Sequence, residues 1–257
     1  MPNAETHLTA ACDLLAEPAI VQAFPWLAND ACRSAFLMGA VSPDVRAIGG
    51  QTREQTHFFT IPPDDDRPAP AMMCADWPQI ARAATLSAPQ AAFIAGYMTH
   101  LIMDQTWVEM VVMPGLYLAG SAWGLRHPNW RLYCILMTYL EYRAAARLPA
   151  SSARQMSGAA PQGWLPFVAD RDLAAWRDRV GKLIDGGGPR LVSSALSQSC
   201  GLDPARMEEI VQSEPEMARE AYPTVSQDRL LAFEAETARR SRDQVIAYLA
   251  GTCDVFS

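Results

Sequence analysis

The run AFIAGYMTHLIMDQTW, from Ala92 to Trp107, sets an imidazole and a carboxylate four residues apart, His100 and Asp104. Helical residues at that spacing share a face, so both side chains leave an otherwise apolar helix in one direction. Burying such groups among Phe, Ile, Leu and Met costs several kcal/mol unless each is paired, hydrogen-bonded or bound to a cation. A divalent metal ion satisfies both at once; the alternative for the same residues is a buried polar network. Three of the four histidines, His7, His57 and His100, fall in the first hundred residues, and a further carboxylate, Asp44, directly follows Pro43. Pro43 is expected to hold Ser42 in extended geometry and so to place Asp44 on a fixed turn.

The elements that must position these groups read as helices. Residues 6–23 carry a stripe of Leu8, Cys12, Leu15 and Ile20, with Thr6 as the expected N-cap and His7 at the helix mouth. A second helix is expected from Asp30 to about Val41, running into the Ser42–Pro43 turn. Residues 49–66 are polar and broken, and His57 is expected on irregular chain anchored by Phe58 and Phe59. The acidic run 64–66 reads as a solvated loop. Helices follow over 77–86 and 88–112, the latter with Ser87 as N-cap and Pro89 in its first turn. A long helix is expected over 130–148 with Glu141 on its apolar face, then a loop of some fifteen residues, then helices over 170–184, 189–199, 203–221 and 226–250. No period-two strand pattern and no internal repeat occur, so the expected fold is all-α, a multi-helix single domain. Its metal-binding half is expected over about 1–148 and a helical C-terminal part over about 165–257.

With 257 residues, half of them apolar, the chain can bury a substantial core. A net charge of −7 argues against a duplex nucleic-acid partner, because phosphate backbones are held by an excess of Lys and Arg. No run approaches the ~18 apolar residues of a membrane span. The N-terminus lacks a basic region and carries Glu5 and Asp13 where a signal peptide is apolar, so the expected compartment is the cytoplasm. Six dispersed cysteines without a C-x-x-C pair fit free thiols in a reducing compartment. There is no adjacent His-Asp pair of the HD phosphohydrolase type, and no G-x-S-x-G nucleophile motif.

An early His (His7), a GA-x-x-PD turn (Gly39, Ala40, Pro43, Asp44), a TH step (Thr56, His57) and GY-x-x-H-x-x-x-D-x-x-W (Gly96, Tyr97, His100, Asp104, Trp107) occur in that order. Together these residues resemble the zinc-dependent phospholipase C family, whose helical fold is shared with single-strand-specific zinc nucleases. The resemblance covers about residues 7–107 and implies zinc ligands at Asp44, His57, His100 and Asp104, with Asp104 bridging toward a second ion that also uses His7. It further implies that Asp44 orients or deprotonates the attacking water. The residue types agree with that chemistry, since imidazoles and carboxylates suit zinc and paired ions of hydrolases stand about 3.5–4 Å apart.

The chain departs from the pattern where a remaining ion would be held. The turn after Asp104 reads QTWVEMVVM without a histidine, His127 is followed four residues on by Arg131, and Glu141 is preceded four residues back by Met137. Glu109, His127 and Glu141 are the candidate substitutes. The expectation is therefore a zinc-dependent hydrolase of a small-molecule or lipid phosphoester, holding one to three ions with an incomplete ligand set. The alternatives are a non-hydrolytic metal-binding helical protein that takes a small molecule or partner, and a metal enzyme of a biosynthetic pathway. Trp107, Trp123 and Trp130 are candidates for a cleft wall as well as for the core.

Overall fold

The computed structural model describes residues 2–119 and 123–251. Among them there is no strand, and fourteen α-helices make one all-α domain. The chain opens with α1 (Ala4–Leu15) and α2 (Pro18–Ala23), then α3 (Asp30–Gly39), α4 (Arg46–Gly49), α5 (Arg53–His57) and α6 (Ala69–Asp76). The central helix α7 (Ala88–Trp107) follows, and then α8 (Trp130–Ala145) and α9 (Ser152–Ser157). The C-terminal series is α10 (Asp170–Asp185), α11 (Gly188–Cys200), α12 (Pro204–Gln212), α13 (Glu214–Glu220) and α14 (Gln227–Leu249).

Helix α7 is the axis. Every residue from Ala91 to Trp107 is buried, so the helix needs neighbours on all sides, and it packs most heavily against α3 and α14. Its start is as the sequence indicates: the Ser87 side chain accepts from the Gln90 amide and Pro89 occupies the first turn. At its other end the backbone widens into a π-helical stretch over Val108–Leu116 that contains Pro114.

Contact between α3 and α7 depends on two facing glycines. A Cβ at Gly96 would overlap the Phe36 carbonyl oxygen, and one at Gly39 would overlap the Phe93 carbonyl oxygen. Only hydrogen at both positions lets the two backbones meet. The end of α3 is thereby pressed onto the middle of α7, and the following 3₁₀ turn Ser42–Val45 is delivered beside His100.

Several boundaries differ from the sequence reading, each for a local reason. Pro18 splits the first helix, and Asn3 rather than Thr6 is its N-cap position, so His7 lies inside α1. Residues 53–57 form a short helix instead of irregular chain, closed by a capping box in which Thr52 and Gln55 satisfy each other's amides. Residues 69–76 are helical, the expected helix over 77–86 is two 3₁₀ turns, and the loop after Pro149 contains α9. Ser213 and Pro215 divide the expected 203–221 helix into α12 and α13. Among the described residues, no helix is long and apolar enough to cross a membrane. Cys12, Cys32, Cys134 and Cys200 are free thiols, while Cys253 lies outside the described residues.

Candidate metal centre

Four segments meet at one buried point. Helix α7 supplies His100 and Asp104, the 3₁₀ turn supplies Asp44, α5 supplies His57 and α1 supplies His7. His7, His57, His100 and Asp104 are at most 2 % exposed, whereas the Asp44 side chain is 28 % exposed. Two trios place one ligand atom each within 4.8 Å of one another: His7, His100 and Asp104, and Asp44, His57 and His100. Such clusters can hold a metal ion.

The spacings carry more information than the proximity. His57 Nε2 lies 3.6 Å from Asp44 Oδ1 and 3.3 Å from Asp104 Oδ2, and His100 Nε2 lies 3.8 Å from Asp104 Oδ2. Ligands about 2.0–2.2 Å from a tetrahedral ion stand about 3.3–3.6 Å from each other. The observed distances are close to the edges of such a cage. They are longer than good hydrogen bonds, and His57 Nε2, His100 Nε2 and Asp104 Oδ1 are all buried without a hydrogen-bond partner.

Second contacts fix which ring nitrogens are bare. His100 Nδ1 lies 2.9 Å from the Ala40 carbonyl oxygen, which can only accept, so Nδ1 carries the proton and Nε2 presents a lone pair. The Thr56 hydroxyl donates to the Arg53 carbonyl at 3.3 Å, which leaves its oxygen to accept from His57 Nδ1 at 2.9 Å. His57 Nε2 is thereby bare as well. The Tyr97 hydroxyl donates to the Thr56 carbonyl at 2.7 Å and anchors α5 on α7.

The His7 ring stacks on that of His100 at 3.6 Å, and His7 Nε2 faces Asp104 Oδ1 at 3.4 Å and the Pro2 carbonyl oxygen at 3.2 Å. Because His100 has one free nitrogen, it can serve one ion only. Asp44, His57 and His100 offer three donors to one such ion, and Asp104 Oδ2 stands beside them, 3.3 Å from His57 Nε2. A second ion beside His7 would have Asp104 Oδ1 and the Pro2 carbonyl for company.

Charge is arranged to suit a cation. Burial alone pushes the His100 pKa down, the neighbouring His7 adds to that, and the result is about 3, so the ring is neutral and can ligate at neutral pH. Burial raises the Asp104 carboxyl, yet His100, His57 and His7 together outweigh it and hold the group well below its usual range. Asp44 shows the same balance, with burial opposed by His57 and His100 and a net downward shift.

The other sequence candidates are placed elsewhere. Glu109 is exposed on the π-helical stretch and pairs with Arg240 at 2.6 Å. Both ring nitrogens of His127 face backbone amides, Leu118 N at 3.3 Å and Asn129 N at 3.1 Å. Glu141 is fully buried but points at the start of α1, where it receives the Glu5 and Thr6 amides at 3.3 and 3.2 Å and the Thr6 hydroxyl at 2.9 Å. It is a side-chain cap from another helix, and it fixes the turn that carries His7. None of the three joins a ligand trio.

A cleft of about 340 Å³ opens onto Asp44, with Arg46, Arg53, Trp123, Trp130 and Tyr133 among its walls. Trp130 stacks on Tyr133 at 4.9 Å, and Trp123 meets Tyr133 edge-on at 5.3 Å. Trp107 is in the core against Phe233. Sequence reading missed Arg53, whose Nη2 lies 3.1 Å from Asp104 Oδ2. In comparisons with known proteins, no family model, no curated protein and no solved structure matches this chain.

Proposed function

We propose that this protein is a zinc-dependent hydrolase of a phosphoester, similar in its ligand order to the phospholipase C family. The observation that supports the reading best is the convergence of Asp44, His57, His100 and Asp104 from three segments, with contacts of 3.3–3.8 Å among them and with His57 Nε2 and His100 Nε2 buried and unpartnered. Two imidazoles with two carboxylates is a donor set suited to zinc. A divalent ion there supplies Lewis acidity and neutralises charge that develops on a phosphoryl group.

The chain's own residues do the remainder. Of the two carboxylates, Asp44 alone reaches the cleft, so it can accept the proton of a water that attacks phosphorus and return it to the departing oxygen. Asp104, fully buried, keeps His57 and His100 facing the ion. The cationic side chains at the cleft draw an anion in, and the aromatic wall excludes water from one side of it.

Asp44→Asn tests the assignment. Zinc content and bis-(p-nitrophenyl) phosphate cleavage are measured together, and cleavage is expected to fall at least about 100-fold, beyond any loss of bound metal. Zinc-loaded wild-type protein that turns over no phosphoester would end the hydrolase reading. A non-hydrolytic metal-binding role has one observation in its favour, that Glu109, His127 and Glu141 are all engaged away from the centre. One tightly held ion without turnover is its signature.

A further inference from the structure

Helix α5 begins at Arg53 and ends at His57, four residues apart, so guanidinium and imidazole leave the same face. They reach the same atom: Arg53 Nη2 is 3.1 Å and His57 Nε2 3.3 Å from Asp104 Oδ2. The guanidinium plane is fixed. Nη1 donates to the Phe59 carbonyl at 3.2 Å, and the guanidinium carbon sits 4.4 Å from the Phe59 ring centre.

These bonds use two of the five N–H donors of an arginine. The rest have no acceptor among the described residues, on a side chain that is 16 % exposed and lines the cleft beside Asp44. A largely buried guanidinium with open donors is costly if its task is only to brace Asp104, which three imidazoles already face. Arg46, on the same cleft, is exposed and makes no ion pair among the described residues.

We propose that Arg53, with Arg46 at the mouth, is the anion-binding half of this site, holding the non-bridging oxygens of a tetrahedral phosphoryl group beside the metal position. The two arginines supply the positive charge that further ions would otherwise bring. The geometry suits the role, because a planar fork can bind two oxygens of one phosphoryl group. With one divalent ion balanced by Asp44 and Asp104, the arginines leave a surplus of two positive charges. That matches a phosphomonoester dianion or inorganic phosphate better than a diester monoanion. The ion in this balance rests on the function proposed above, whereas the arginine contacts do not.

Inorganic phosphate is the probe, titrated calorimetrically into wild type, Arg53→Lys, Arg53→Gln and Arg46→Gln, each zinc-loaded and zinc-free, with zinc content measured for each. Arg53→Gln is expected to keep its zinc and to bind phosphate about 10- to 100-fold more weakly, the loss of a charge-assisted contact. Arg53→Lys should fall between, since an ammonium keeps charge without the fork, and it serves as the folded reference should the glutamine variant unfold. Arg46→Gln should weaken binding a few-fold. Methyl phosphate is expected to bind more tightly than dimethyl phosphate; the reverse order refutes the charge match. Unchanged phosphate affinity in a folded, zinc-replete Arg53→Gln overturns the proposal. So does loss of zinc in both Arg53 variants with phosphate binding intact in the zinc-free protein. If wild type takes up no zinc yet its phosphate binding still needs Arg53, the hydrolase reading fails and the arginine reading stands.

Discussion

Asp104 has more neighbours of consequence than any other side chain of the centre: His7, His57, His100 and Arg53 all stand within 3.8 Å of its two oxygens. Removing its charge should cost the metal outright. Asp104→Asn and His100→Ala are expected to lose bound zinc, whereas Glu109→Gln and His127→Ala keep it, as read by metal analysis of the four purified variants. The first two of these groups were legible in the sequence because a charged or ligating side chain in an apolar helix demands a reason. Glu141 raised the same question for the same reason, but its answer, capping a helix through the Glu5 amide 136 residues earlier, lies in a tertiary contact. Arg53 left no such trace. It sits in a polar stretch where an arginine needs no explanation, and its partner is 51 residues away. The Glu5–Glu141 pair gives a pH prediction. Burial, and then the charge of Glu141, raise the Glu5 carboxyl from 4.5 to about 8. The folded chain therefore keeps a proton that the unfolded chain gives up above about pH 4.5. Stability from this group is full below that pH and is lost as pH rises through 8. The melting temperature of wild type should decline between pH 5 and 8.5 relative to Glu5→Gln, measured by thermal denaturation across that range.

At the level of elements, the crossing of α3 and α7 determines whether the ligands meet. Gly96→Ala forces a methyl group into the Phe36 carbonyl, and neither backbone can give way without moving Ala40, the partner of His100. The expected cost is about 3 kcal/mol, or roughly 6–12 °C in Tm, with weakened zinc binding in the same variant. Differential scanning calorimetry and zinc titration check the two parts. The long elements were readable because periodicity, N-caps and first-turn prolines agree, as at Ser87 and Pro89 for α7. The short ones were not. A five-residue helix such as α5 cannot show a period, and its one local signal, Thr52 with Gln55 three residues on, is easily lost in a polar run. The glycines at 39 and 96 were noted as parts of a motif, but their task as a contact between two backbones needs both partners in view.

For the whole molecule, an ion at this centre would couple metal to stability. Without a cation, bare lone pairs and carboxylates face one another in the interior, so any ion that binds only the folded chain should stabilise it according to its concentration. Chelation is expected to lower Tm, and zinc added back should raise it progressively, by about 2.7 kcal/mol of stability at a hundredfold excess over Kd. A Tm indifferent to both treatments refutes the coupling. The all-α class was legible because no segment alternates with period two. The packing order was not, since nothing in the helical stripes says that α14, near the far end of the chain, covers α7.

That last contact has a bearing on biosynthesis. All five ligand residues lie within the first 104 residues, but α7 gains its α14 cover, and α1 the Glu141 tether, only from chain made later. The central helix is thus made long before one of the two elements that pack on it most heavily. Assembly of the centre therefore draws on chain made well after its ligands.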